Sequence, residues 1–138
     1  MKHKKSLLKL GAIQTMLMAI YHFFIPIQFQ WREYLDEGIP TINWALFTIN
    51  NYFSFILLVL GFSLMYHLTN KHHNSEVLKT LSWILLLFWG FNTVYQIVEP
   101  MPLPARLGWL SWTLVGISAL NSGLFVLALL VSRKEHSV

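Results

Sequence analysis

The chain predicts an all-α fold, an integral membrane four-helix bundle with both termini cytoplasmic. Three observations predict it. Only 12% of the 138 residues are charged while 55% are hydrophobic, whereas an ordinary soluble domain carries about 25% charged residues. Four stretches, 10–31, 38–70, 80–98 and 107–132, contain no Asp, Glu, Lys or Arg. The charges that remain sort to alternate ends of those stretches. A soluble domain of this length buries only about 70% of its unfolded surface. That is too little to hide this much apolar area, so lipid is the solvent for part of the chain. The same composition excludes disorder, which requires few hydrophobic residues and high net charge. The absence of cysteine excludes disulfides, thiolate metal sites, iron–sulfur clusters and cysteine nucleophiles.

About 20 apolar residues rising 1.5 Å each cross a hydrocarbon core of roughly 30 Å, and each stretch reaches that length. None alternates with period two, and four segments cannot close a barrel, so all are helices. They are expected near 9–29, 43–67, 81–99 and 107–131, forming one transmembrane domain over 1–138. The first follows a basic segment (Lys2, Lys4, Lys5). It exceeds the 7–15 residues typical of a signal peptide's apolar region and lacks a small-residue cleavage pattern, so it reads as an uncleaved signal anchor. Trp31, Trp44, Trp109 and Trp112 then fall near the outer interface and Trp83 near the inner one, as aromatic belts require. The alternating prolines of 99–104 make an extended outer connector.

Lys2, Lys4, Lys5, Lys9, Lys71, Lys79, Arg133 and Lys134, eight of the ten basic residues, share the side of the termini. Arg32 and Arg106 share the other with Glu33, Asp36, Glu37 and Glu99. By the positive-inside rule the termini face the cytoplasm and the protein is a multi-pass protein of the cytoplasmic membrane. The net charge of +4 and the pI near 9.5 are therefore topological, and no nucleic acid partner is expected.

Polar side chains inside lipid mark functional candidates by default. In the third span Asn92, Tyr95, Gln96 and Glu99 recur at i, i+3, i+4 and i+7, which places them on one helical face. That face is expected to look into the bundle. The first span carries Gln14, Met18, Tyr21 and His22, with Pro26 one turn beyond. A proline there displaces the carbonyl of residue 22 from the helical ladder and frees an acceptor beside the imidazole. The second span adds Asn50, Asn51 and Ser54, and the fourth adds Ser118, Asn121 and Ser122. By depth these groups concentrate in the outer half of the four helices. Two readings follow. In one, His22, Asn50, Asn51, Asn92, Tyr95, Gln96, Glu99 and Asn121 line an outward cavity, with His22 and Glu99 as candidates for an acid–base pair. In the other, the same groups are interhelical glue, each pair contributing about 0.6 kcal/mol. Gly116, Ala119 and Gly123 share a face of the last helix that is expected to make close helix contact. His67, His72 and His73 lack supporting carboxylates and read as a solvated loop. Neither a metal nor a cofactor is expected.

The four-helix plan, with Tyr21-His22-Phe23-Phe24-Ile25-Pro26 ending the first helix before a short outer loop, resembles the DoxX-like small membrane proteins. That resemblance implies a four-helix membrane protein and no assigned activity. The stretch Phe24-Ile25-Pro26-Ile27, with Trp44 beginning the next helix, also resembles the emopamil-binding group of sterol-binding proteins. Those keep acidic residues in their helices to hold a cationic intermediate; the helical acid candidate in this chain is Glu99.

The expected function is binding of a lipophilic small molecule in an outward-facing polar pocket, with membrane lipid as the surrounding partner. The alternative is a non-catalytic membrane subunit or assembly partner, homo- or hetero-oligomeric, whose polar faces serve packing. The topology makes a direct prediction. Cysteines introduced as Asp36→Cys and Asn74→Cys will label with a membrane-impermeant reagent from opposite sides; labelling from one side contradicts the four-span arrangement.

Overall fold

The computed structural model describes residues 2–35, 39–70, 74–101, 103 and 105–135. Among these described residues five α-helices follow one another: α1 (Lys2–Gln28), α2 (Trp31–Tyr34), α3 (Pro40–Thr69), α4 (Ser75–Val98) and α5 (Gly108–Glu135), the last preceded by a 3₁₀ turn at Ala105–Leu107. Among the described residues no strand forms, and α1, α3, α4 and α5 are each long and apolar enough to cross a membrane. This is the architecture of a multi-pass membrane protein. Asp36, Glu37, Lys71, His72, His73, Pro102 and Pro104 lie outside the described residues, as do the side chains of Lys2, Arg133 and Lys134.

Three of the long helices, α1, α4 and α5, extend past their charge-free stretches because backbone hydrogen bonding continues where lipid ends, whereas α3 stays within 38–70. The Asn74 side chain starts α4 by accepting from the backbone N–H of Glu76 (2.9 Å) and Val77 (3.4 Å), six residues before the expected start. Pro40 opens α3 from its first turn, where its missing N–H has no partner to lose. At the other end α4 stops at Val98, because Glu99 precedes Pro100 and that position disfavours helical backbone.

α1 packs on α3 and α5, and α4 packs on α5 and, less extensively, on α3. The four spans therefore form a ring in chain order, with the α1–α4 line crossing its middle. Each helix turns one row of residues inward, spaced alternately three and four apart. In α1 the row is Leu8, Ala12, Thr15, Ala19, continued by half-buried His22 and buried Pro26; in α3 it is Asn50, Ser54, Leu57, Gly61, Leu64, Leu68. In α4 it is Leu78, Ser82, Leu85, Trp89, continued by half-buried Asn92 and Gln96; in α5 it is Ser118, Asn121, Phe125, Ala128. This 3.5-residue period is the repeat of bundles that pack knobs into holes.

The rows meet at Thr15. Its hydroxyl donates to the Gly11 carbonyl (2.7 Å) and accepts from Trp89 Nε1 (3.1 Å) and Asn121 Nδ2 (3.1 Å). One oxygen thus joins α1, α4 and α5 at a point where Thr15 and Asn121 are 0% exposed and Trp89 1%. The indole fills the centre of the ring, and its N–H, which would otherwise be unsatisfied in an apolar interior, ends on the opposite helix.

The expected close contact of Gly116, Ala119 and Gly123 does not form. Gly116 and Ala119 are exposed, and a side chain added at Gly116 or Gly123 would meet nothing within 4 Å. The competing row of α5 contains Ser118 and Asn121, and turning those toward lipid would leave their polar atoms without partners. The close approach lies between α1 and α3 instead. A Cβ at Gly61 would sit 2.8 Å from Met16 Cγ and 3.2 Å from the Ala12 carbonyl oxygen. We therefore expect Gly61→Ala to destabilise the fold by about 1–3 kcal/mol. Gly116→Ala should leave stability unchanged or raise it by up to about 1 kcal/mol through helix propensity. Reversible unfolding in mixed micelles measures both.

Candidate functional site

The end of the bundle that carries the α1–α3 and α4–α5 connections, called here the Arg32 end, holds most of the remaining polar groups. Pro26 stays inside α1, and the carbonyl it releases at His22 accepts from Asn50 Nδ2 at 2.9 Å. Asn50, 9% exposed, thus replaces a missing intrahelical bond with one that ties α3 to α1. The Asn50 carbonyl in turn accepts from Ser54 Oγ (2.7 Å). Between α4 and α5, Asn92 Nδ2 donates to Ser118 Oγ (2.8 Å), which donates to the Leu114 carbonyl (2.9 Å). Gln14 Nε2 donates to the Ile117 carbonyl (3.0 Å) and joins α1 to α5. Asn50, Asn92 and Asn121 therefore each direct an amide donor at another helix.

The other expected site residues have different surroundings. The His22 ring stands edge-on to Phe53 (centroids 4.8 Å, 66°) and to Tyr21 (6.0 Å, 73°). Phe53 continues to Phe88 (5.6 Å) and Phe88 to Trp89 (5.2 Å), so an aromatic file runs from His22 to the centre of the ring. Gln96 is half-buried, with Oε1 lacking a hydrogen-bond partner, as do Tyr21 Oη and Asn121 Oδ1. Tyr95 does not look into the bundle as expected. It is 54% exposed and stacks on Phe91 (6.0 Å, 23°), because the inward row of α4 passes through Asn92 and Gln96 and leaves Tyr95 beside it. Glu99 is exposed at the end of α4, its backbone N–H bonded to the Tyr95 carbonyl (2.8 Å). Among the described residues no hydrogen bond or ion pair joins Glu99 to His22. Nor do three metal-ligating side chains gather anywhere among them.

Asn51 is exposed, about 100° around α3 from buried Asn50. It lines two adjoining hollows between α1 and α3. One, of about 490 Å³, is bounded by Phe23, Pro26, Ile27, Gln30, Arg32, Glu33, Phe47 and Asn51. The other, of about 520 Å³, is bounded by Phe23, Thr48, Asn51, Tyr52 and Phe55. Sharing Phe23 and Asn51, they form one groove with a charged mouth and an aromatic body.

The local sequence explains the mouth. α1 ends two residues beyond its proline, and Gln30 adopts φ 50, ψ 43, left-handed backbone that costs a residue with a side chain about 1–2 kcal/mol. The turn leads into the one-turn helix α2, which borders the groove and whose Trp31 packs edge-on against Phe47 of α3 (5.7 Å, 61°). Arg32 and Glu33 follow directly. Sequence reasoning passed over Phe23, Gln30, Arg32 and Glu33 as site residues, and it passed over Thr15 and Trp89 as the joint. The available signal for the first group was an unmatched base–acid pair beside an interfacial tryptophan; for the second it was the 3.5-residue row itself.

Comparison with known protein families, curated proteins and solved structures finds no match to this chain, so its residues alone define the site. They describe a helical multi-pass membrane protein with polar side chains bonded between its helices and an open groove at one end.

The link between Pro26 and Asn50 can be measured. Asn50→Leu should destabilise the protein by about 1–2 kcal/mol, since it leaves the His22 carbonyl unpaired. In a Pro26→Ala background the penalty should shrink, because residue 26 regains an N–H that can reach that carbonyl. A double-mutant cycle showing no coupling would contradict the linkage.

Proposed function

We propose that this protein binds an amphiphilic lipid-like molecule in the groove between α1 and α3. The groove's form carries the reading: a hollow lined by Gln30, Arg32, Glu33 and Asn51 opens into one lined by Phe23, Tyr52 and Phe55. Ligand sites are concave, mostly apolar, and carry a few polar groups that fix orientation. In this proposal Asn50, Asn92 and Asn121 hold the scaffold and Asn51 touches the ligand. His22, Tyr95, Gln96 and Glu99 lie outside the groove lining. Cytoplasmic termini and residence in the cytoplasmic membrane belong to the same proposal, supported by the basic residues gathered at the termini end. The Arg32 end then faces outward. The likeness to DoxX-like proteins enters only as a shared four-helix plan.

A second reading, a non-catalytic subunit, draws on the open surface of α5 at Gly116 and Gly123. There Gly116→Ile with Gly123→Ile would alter the oligomeric state while leaving lipid retention unchanged.

Mass spectrometry of lipid extracted from the purified protein separates the readings. The wild type should retain a lipophilic molecule in stoichiometric amount, Asn51→Trp should lose it by filling the groove, and Glu99→Gln should keep it. Both substitutions are at exposed positions, so folding is preserved. Absence of any retained molecule in the wild type would remove the binding proposal.

A further inference from the structure

Arg32 and Glu33 are neighbours on α2, both exposed, and both line the mouth of the groove. Consecutive helical residues project about 100° apart and do not face one another. Among the described residues neither takes part in an ion pair. The mouth therefore presents a separated positive and negative charge, flanked by the amides of Gln30 and Asn51, each with donors and an acceptor.

The groove then leads downward. Thr48, Asn51, Tyr52 and Phe55 recur at i, i+3, i+4 and i+7 on α3, one face extending about 10 Å along the helix, with Asn51 shared by the hollow that Arg32 and Glu33 line. An acyl chain laid along that face would carry its headgroup into the mouth.

We propose that the groove selects a zwitterionic phospholipid whose headgroup ends in a primary ammonium, an ethanolamine phospholipid. This rests on the amphiphile-binding reading and names its ligand class. The Arg32 guanidinium offers a planar fork suited to two phosphate oxygens. The Glu33 carboxylate accepts from the ammonium, and the side-chain oxygens of Gln30 and Asn51 supply further acceptors. A primary ammonium has three N–H donors to meet them. A quaternary choline headgroup has the same charge and no donor, so it leaves those acceptors unmet. A glycerol headgroup satisfies Arg32 and places a net negative lipid beside Glu33. A diacylglycerol engages neither charge.

The test titrates the full-length protein in detergent with four lipids of matched acyl chains: ethanolamine, choline and glycerol phospholipids, and diacylglycerol. Bound lipid is counted by native mass spectrometry. The ethanolamine lipid should bind about fivefold or more tightly than each of the others, the scale of one exposed charge-assisted contact. Glu33→Gln should reduce the preference for ethanolamine over choline, leaving only the neutral amide acceptors to meet the ammonium. Arg32→Gln should weaken all three phospholipids and leave diacylglycerol unchanged. Matching unfolding midpoints for the variants and the wild type ensure that folding is not what is read. Equal binding of all four lipids, or a preference for the glycerol phospholipid, overturns the headgroup selection while leaving the amphiphile reading standing. Failure of every lipid to bind overturns both.

Discussion

The hydroxyl of Thr15 is the joint on which the bundle depends. Lipid outside the protein is as apolar as leucine inside it, so no hydrophobic gradient draws these helices together. Polar groups can, because each one left facing hydrocarbon lacks a partner. Thr15 provides the acceptor at which Trp89 from α4 and Asn121 from α5 converge, and its own proton returns to α1. Around that point the helices need only small residues and close contact, which Ala12, Gly61 and Ala19 allow.

The groove is a consequence of how α1 ends. Pro26 breaks the hydrogen-bond ladder near the Arg32 end, and Asn50 repairs it from α3. The repaired contact holds the two helices together at Asn50 while the face of α3 at Asn51 stays open. Two residues beyond the end of α1, the left-handed turn at Gln30 leads into α2, which borders that opening. The Trp31–Phe47 contact holds it there, and two charges that lie outside the charge-free stretches come to line the groove.

Legibility varied by kind of residue. The four spans were readable because length and absence of charge are local properties that lipid enforces residue by residue. The carbonyl freed at His22 was readable because a proline acts on its own helix. Tyr95 was misplaced because the step from a shared helical face to an inward face assumes that every polar group on it must be buried; a tyrosine at the edge of the bundle can stack on Phe91 instead. On α5 the stripe of Gly116, Ala119 and Gly123 was misread as a contact face because small residues and polar residues formed rival stripes. Packing chose the stripe that held Ser118 and Asn121.

From sequence alone follow the helical class, the number of spans and the segregation of basic residues to one end, since each depends on composition along a single segment. Which amide meets which hydroxyl, and that Asn50 is buried in the scaffold while Asn51 lines the groove, was decided by tertiary structure. The reason is physical: in lipid an apolar residue gains little by facing in rather than out, so the rotation of each helix is set by partners on other helices. The low share of charged residues placed the chain in a membrane, and the contacts between helices placed two of those charges at the mouth of its groove.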